Sequence, residues 1–191
     1  MTAPARSETV AAAVLAGGRA QRLGGIDKGL APWHGRPLIA HVVDLLRSDF
    51  DSVLIIANRH HDLYRAYGRV RADAREGYRG PLEGIATALR ETSADWLFVV
   101  PVDSPCFGAD LFARLWRGRG DATVVVAHDG ARRQPLFALY RRARLELPED
   151  AADMPVWCWQ DTHALREVDF GDSPERFANL NTAEDFLDAR S

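Results

Sequence analysis

Two cysteines, Cys106 and Cys158, are all that the 191 residues contain, and neither has a C-x-x-C partner. That scarcity argues against a disulfide framework or a thiolate zinc site and fits a reducing compartment. Both thiols read as packed side chains. No stretch reaches 18 uninterrupted apolar residues, and the start of the chain shows no basic segment followed by an apolar signal core. The chain is therefore expected in the cytoplasm. Positive charge is not in excess either: 24 lysines and arginines stand against 27 acidic residues, a formal net charge of −3. This argues against a general binder of nucleic acid or of an anionic membrane, so positive charge that matters must be local. Internal repeats, low-complexity tracts and linkers are absent, as is a G-x-S-x-G nucleophile elbow.

What is present is an ordinary globular composition, with 47% hydrophobic and 27% charged residues. The length suggests one domain over residues 9–191, preceded by a disordered lead-in over residues 1–8. Apolar strand-like runs recur at Val10–Leu15, Ser52–Ala57, Val70–Asp73, Trp96–Val100 and Thr123–Ala127. Amphipathic helical stretches lie between them at Pro37–Ser48, His60–Tyr67, Pro81–Thr92 and Gly108–Arg117. Alternation of this kind predicts right-handed crossovers and a mostly parallel sheet, an α/β fold built as a Rossmann-like three-layer α/β/α sandwich. Pro37 and Pro81 suit first helical positions.

Beyond Ala127 the rhythm changes. His128-Asp129-Gly130 signals a turn, and Gln134–Tyr140 reads as a strand pairing antiparallel with its neighbour. Residues 141–163 read as helical material broken by Pro148 and Pro155. Short strands are expected at Arg166–Phe170 and Arg176–Asn181, and a terminal helix at Thr182–Ala189 capped by Asn181 or Thr182.

The richest segment follows the first strand: Leu15-Ala16-Gly17-Gly18-Arg19-Ala20-Gln21-Arg22-Leu23-Gly24-Gly25-Ile26-Asp27-Lys28. It leaves the carboxyl edge of the sheet, where open α/β folds bind ligands. Glycines let backbone N–H groups approach phosphate oxygens, and Arg19, Arg22 and Lys28 offset about three charges of a triphosphate. Neither G-x-x-x-x-G-K-[ST] nor G-x-G-x-x-G is present, so this is a different cradle or a glycine-rich turn.

Further groups fall at the same edge. Asp103 ends an apolar strand in Pro101-Val102-Asp103-Ser104-Pro105, placed to hold Mg²⁺, to cap the next helix or to close an Asx-turn before Pro105. Asn58 and Asp73 end the second and third strands, as readers of a base or ribose edge or as helix caps. Gly80-Pro81 leads into a helix N-terminus that favours an anion or a carbonyl oxygen. Asn179 and Asn181 share one side of a strand end, to orient a phosphate, complete a metal shell or cap a helix. The six histidines show no metal-ligand spacing.

Seven stretches, LAGGRAQRLGGIDKGL, GRPLIAHV, IIANRH, GYRGPLEG, FVVPVDSPCF, RQPLFALY and NLNTAEDF, together resemble the molybdenum cofactor guanylyltransferases, the MobA family, in the family's order from Leu15 to Phe186. The resemblance implies a fold of the nucleotide-diphospho-sugar transferase type, with an antiparallel addition to its mostly parallel sheet. It implies a Mg²⁺-dependent enzyme that joins GMP from GTP to molybdopterin and releases pyrophosphate. It also implies partner proteins that deliver the cofactor or receive it into molybdoenzymes. Carried over residue by residue, it puts guanine and ribose against Leu15, Ala16, Gly17 and Gly18. Arg22 and Lys28 fall on the triphosphate, Asn58 and Asp73 on the nucleotide, and Gly80 and Gly84 against its pocket. Asp103 becomes the Mg²⁺ ligand, with Arg22, Lys28 and Asp103 at the catalytic centre and Asn179 and Asn181 near it. The Trp157-Cys158-Trp159 cluster departs from the family pattern, as core packing or as a pterin shelf. Other readings are a cytidylyltransferase or sugar-1-phosphate nucleotidyltransferase, and a non-catalytic GTP- or cofactor-binding protein. Gly17-Gly18 favours guanine over the cytidylyl relatives, the short chain argues against most sugar enzymes, and Arg22, Lys28 and Asp103 together favour catalysis.

Overall fold

Small residues let the first strand, β1 (Val10–Leu15), lie at the centre of a sheet with a helix layer on each side. The computed structural model describes residues 8–17, 27–73, 80–148, 154–181 and 185–188. Its main sheet also contains β4 (Val53–Ile56), β5 (Arg69–Arg71), β6 (Trp96–Pro101), β7 (Val124–His128), β8 (Arg133–Arg141) and β9 (Leu165–Asp169). The spatial order is β5-β4-β1-β6-β8-β7-β9. Strands β5, β4, β1 and β6 are mutually parallel, β8 is antiparallel to both β6 and β7, and β9 is parallel to β7. The ends of β1, β6, β7 and β9 and the start of β8 consequently share one edge. This is the expected α/β sandwich with its antiparallel addition.

Period-two alternation divides the core. Ala12, Val14, Ile55, Phe98, Val125 and Leu139 face helices α1 (Leu38–Leu46) and α4 (Leu111–Gly118). Ala13, Leu54, Ile56, Leu97, Val99 and Tyr140 face α3 (Pro81–Glu91) and α5 (Val156–Gln160). Both helix layers use helical spacing, as in the buried Leu82, Ile85 and Leu89 of α3. Strand β6 is buried along its whole length. Pro135 is tolerated in β8 because the β7–β8 register jumps there, from Val126↔Ala138 to Ala127↔Gln134, so no ladder bond is demanded of it.

Several elements differ from expectation. The predicted helix at His60–Tyr67 is a single turn, α2 (His61–Tyr64), because His60 enters it at φ +52° and Gly68 packs against the Val53 carbonyl. Strand β5 is shifted to Arg69–Arg71. A hairpin that sequence reading missed, β2 (Pro32–Trp33) with β3 (Arg36–Pro37), turns at His34 and Gly35, both at positive φ. Pro37 thus stands outside α1 as an extended N-cap residue. Between 141 and 163 the described helical content is a 3-10 turn at Arg142–Arg144 and the five residues of α5. The strand expected at Arg176–Asn181 is absent. Pro174–Phe177 forms a 3-10 turn that buries Phe177 against Phe137 and Phe170, and Leu180 then donates to the Asp103 carbonyl at 2.8 Å. Helix α6 (Asp185–Asp188) lies within the expected terminal helix, and Asn181 N–H donates to Asp185 Oδ2 at 2.6 Å.

Cys158 is half-buried, whereas Cys106 is exposed and departs from the packed side chain expected of both. Of the expected lead-in only Glu8 is among the described residues, and its carboxylate accepts from Arg141 at 2.8 Å. No described helix is long and apolar enough to cross a membrane.

Candidate active site

The end of β1 is locked by backbone bonds to both neighbouring strands. Ala16 N donates to the Ile56 carbonyl at 2.8 Å, and Val102 N donates to the Leu15 carbonyl at 3.0 Å. These bonds bring Leu15, Ala16 and Gly17 beside the exits of β4 and β6. A Cβ on Gly17 would stand 3.3 Å from Asn58 Nδ2, so glycine keeps the gap between the β1 and β4 exits open. Gly18 and Arg22, both expected at the nucleotide, lie outside the described residues.

Lys28 is where the distant motifs converge. Its Nζ donates to Asp103 Oδ2 at 2.8 Å and to Asn181 Oδ1 at 2.6 Å. The Lys28 and Asp103 side chains are 21% and 25% exposed, an ion pair open to an incoming ligand yet sheltered enough to be oriented. Asn179 belongs to the same corner through Ser104, whose buried hydroxyl donates to Asn179 Oδ1 at 2.5 Å. Asp103 does not cap the next helix, since Asp110 occupies that place for α4.

A second group forms on the β4 side. Asn58 Nδ2 donates to Asp73 Oδ2 at 2.6 Å, and Asp73 N donates to Asn58 Oδ1 at 2.8 Å. Asn58 therefore pairs with Asp73 and caps no helix. The other oxygen, Asp73 Oδ1, is buried and has no hydrogen-bond partner among the described residues. An orphaned buried acceptor costs about 1–3 kcal/mol, which a donor on a ligand would relieve. A Cβ on Gly84 would lie 3.6 Å from this oxygen and 3.2 Å from Leu15 Cδ2. Gly84 thus sits inside α3 against the end of β1, not on a loop, while Gly80 enters the helix at φ +83° facing open space.

Burial pushes the Asp73 carboxyl above the ordinary carboxylate value, and the Glu83 charge adds to the rise against a lowering donation from Asn58. The folded carboxyl thus holds its proton more tightly than the unfolded one, whose pKa is about 3.9. Stability from this group falls as pH rises from there through the elevated folded value, then levels off. Asp73→Asn removes the titration and keeps an acceptor for Asn58. Thermal denaturation from pH 4 to 8 should show the variant gaining on the wild type as pH rises. Parallel profiles would contradict the assignment.

Among the described residues no three His, Cys, Asp or Glu side chains stand together as a metal cage. The donors present still suit Mg²⁺, which commonly takes one or two carboxylates and fills its shell with water and substrate phosphates. Asp103 supplies such a carboxylate at the sheet edge.

Sequence reading missed two contributors. Asp27 Oδ1 accepts from Tyr64 Oη at 2.5 Å and from Gly29 N at 3.2 Å. The signal lay in Asp27-Lys28-Gly29, where a short polar residue precedes a turn. The tryptophan cluster splits: Trp159 is buried, its indole N–H on the Glu146 carbonyl, whereas Trp157 is exposed beside a groove lined by Arg133, Pro135, Asp161 and Glu167.

Residues 12–166 match the MobA-like NTP transferase domain. The molybdenum cofactor guanylyltransferase of Vibrio vulnificus is 41% identical over 179 residues, covering 90% of each chain. Among solved structures, the molybdopterin-guanine dinucleotide biosynthesis protein A of Archaeoglobus fulgidus superposes with a TM-score of 0.76 at 20% identity, over 93% of this chain and 95% of the other. Rv0371c of Mycobacterium tuberculosis, solved in complex with manganese, superposes with a TM-score of 0.69 at 18% identity, over 95% and 97%.

Proposed function

The chain belongs to the MobA-like NTP transferase family, and on that premise we propose that it joins GMP from GTP to the terminal phosphate of molybdopterin, releasing pyrophosphate and leaving the guanine dinucleotide cofactor. The single domain of residues 9–191 carries the reaction, in the cytoplasm. The observation that carries this reading is the Lys28 ammonium group held between Asp103 and Asn181, which joins three motifs at one point.

Guanine and ribose lie against Leu15, Ala16, Gly17 and Gly18, with Asn58 and Asp73 on the nucleotide and Asp73 Oδ1 accepting one of its donors. Gly80 and Gly84 leave room for it. Arg22 and Lys28 face the triphosphate, Lys28 exchanging the Asp103 carboxylate for phosphate oxygens. Asp103 would hold Mg²⁺, whose charge would stabilise the phosphates during transfer. An acceptor phosphate oxygen forms a new bond to the α-phosphorus in line, the bond from that phosphorus to the bridging oxygen breaks, and pyrophosphate leaves with the electron pair. Asn179 and Asn181 orient groups at this centre. The acceptor is already a competent nucleophile, so positioning and charge neutralisation suffice.

Pyrophosphate release from GTP and molybdopterin tests the reading, with CTP as competitor. A pocket built on guanine donors leaves polar atoms unpaired with cytosine, at about 1–3 kcal/mol each. GTP should exceed CTP by about a hundredfold in kcat/KM if two such contacts are lost. Comparable use of both nucleotides, or a preference for CTP, would replace this reading with a cytidylyltransferase. Nucleotide binding with no pyrophosphate release would leave a non-catalytic binding protein.

A further inference from the structure

The Lys28 side chain hangs from a 3-10 turn of only three residues, Lys28–Leu30. Such a turn has few internal bonds with which to fix its direction. Its anchor comes from outside. Asp27, the N-cap, accepts Gly29 N–H on Oδ1, and that same oxygen receives the Tyr64 hydroxyl. Tyr64 is wholly buried in α2, while the adjacent Leu63 is 57% exposed. A Cβ on Gly29 would stand 2.3 Å from Tyr64 Oη and 3.1 Å from Val102 Cγ2, so the turn is seated between the phenol and the residue before Asp103.

We propose that Tyr64 is a positioning residue for the transfer reaction: its hydroxyl fixes Asp27, and through Asp27 the turn that aims Lys28 at the triphosphate. Burial and the neighbouring Asp27 carboxylate push the phenol well above its ordinary pKa, so it remains a donor. Because Asp27 Oδ1 serves both Tyr64 and Gly29, loss of the phenol donor frees the carboxylate to rotate and loosens the bond that shapes the turn. The β4-to-β5 connection is in this way linked to a phosphate-binding side chain through Asp27. The role of Lys28 here rests on the function proposed above.

Tyr64→Phe keeps the ring and removes the donor. Relative to wild type, KM for GTP should rise about tenfold, the effect of one lost charge-assisted bond, with KM for molybdopterin unchanged. Guanosine binding should persist, and the Gly29 amide should exchange with deuterium about tenfold faster. A purely structural role would weaken GTP and guanosine alike. If the variant does not fold, Asp27→Ala opens the same link from its partly exposed end and should give the same pattern, while Asp27→Asn, which keeps an acceptor, should restore part of it. GTP parameters and Gly29 exchange within twofold of wild type in a folded variant would overturn the inference. Failure of the wild type to release pyrophosphate would instead overturn the proposed function, and GTP-against-guanosine binding with Gly29 exchange would still decide the role of Tyr64.

Discussion

Asp103→Ala is expected to abolish metal-dependent turnover while leaving metal-free GTP binding intact. The carboxylate stands at the end of a fully buried strand, with its backbone carbonyl tied to Leu180 and its side chain on Lys28. Loss of a preorganised charge at a transition state of this kind costs about 3 kcal/mol or more, a fall in kcat of over a hundredfold. Metal-free affinity should hold or improve, since an anion next to the triphosphate is removed and Lys28 is released from its partner. Asp103→Asn, which retains an acceptor for Lys28, should lose turnover equally. Titrating Mg²⁺ in a pyrophosphate-release assay, with GTP binding followed by calorimetry in chelator, separates the two effects. Near-normal turnover of either variant at limiting Mg²⁺ would refute the role.

Lys28→Ala should separate the nucleotide's phosphates from its base. A charge-assisted bond to a phosphate oxygen contributes about 1.5–3 kcal/mol, so GTP affinity should fall roughly ten- to hundredfold. Guanosine should bind as it does to the wild type. Lys28→Arg is not a neutral control, because the planar guanidinium does not reproduce a compact ammonium held between Asp103 and Asn181. Equal losses for GTP and guanosine would make Lys28 a support of the turn alone.

The parallel half of the fold was legible because its signals are local. A run such as Trp96–Pro101 can be little else than a buried strand, and Gly80 and Pro81 mark the start of α3. Lys28, Asp103 and Asn181 were legible as separate motifs, the first in the glycine-rich loop and the other two at predicted strand ends. Their meeting depends on a tertiary fact: residues 178–181 run past Asp103 without forming a strand. A short strand was expected there, but Phe177 gains more by burial against Phe137 and Phe170 than an edge pairing would supply. The Asp27–Tyr64 bond was illegible for a related reason. Nothing local couples residues 37 positions apart, and a tyrosine in a helical stretch reads as core until its hydroxyl finds a carboxylate.

The contact between Lys28 and Asn181 spans 153 positions of chain. In the sheet β1, β4, β5 and β6 pair through sequence-near crossovers, whereas β8 lies between β6 and β7, and residue 181 follows all of these strands in the chain. Long-range closure of this kind is slow relative to local pairing. A nascent chain thus acquires Lys28 early and the Asn181 amide that accepts from it only after every strand of the main sheet has emerged, so the Lys28 corner closes after the parallel core can form.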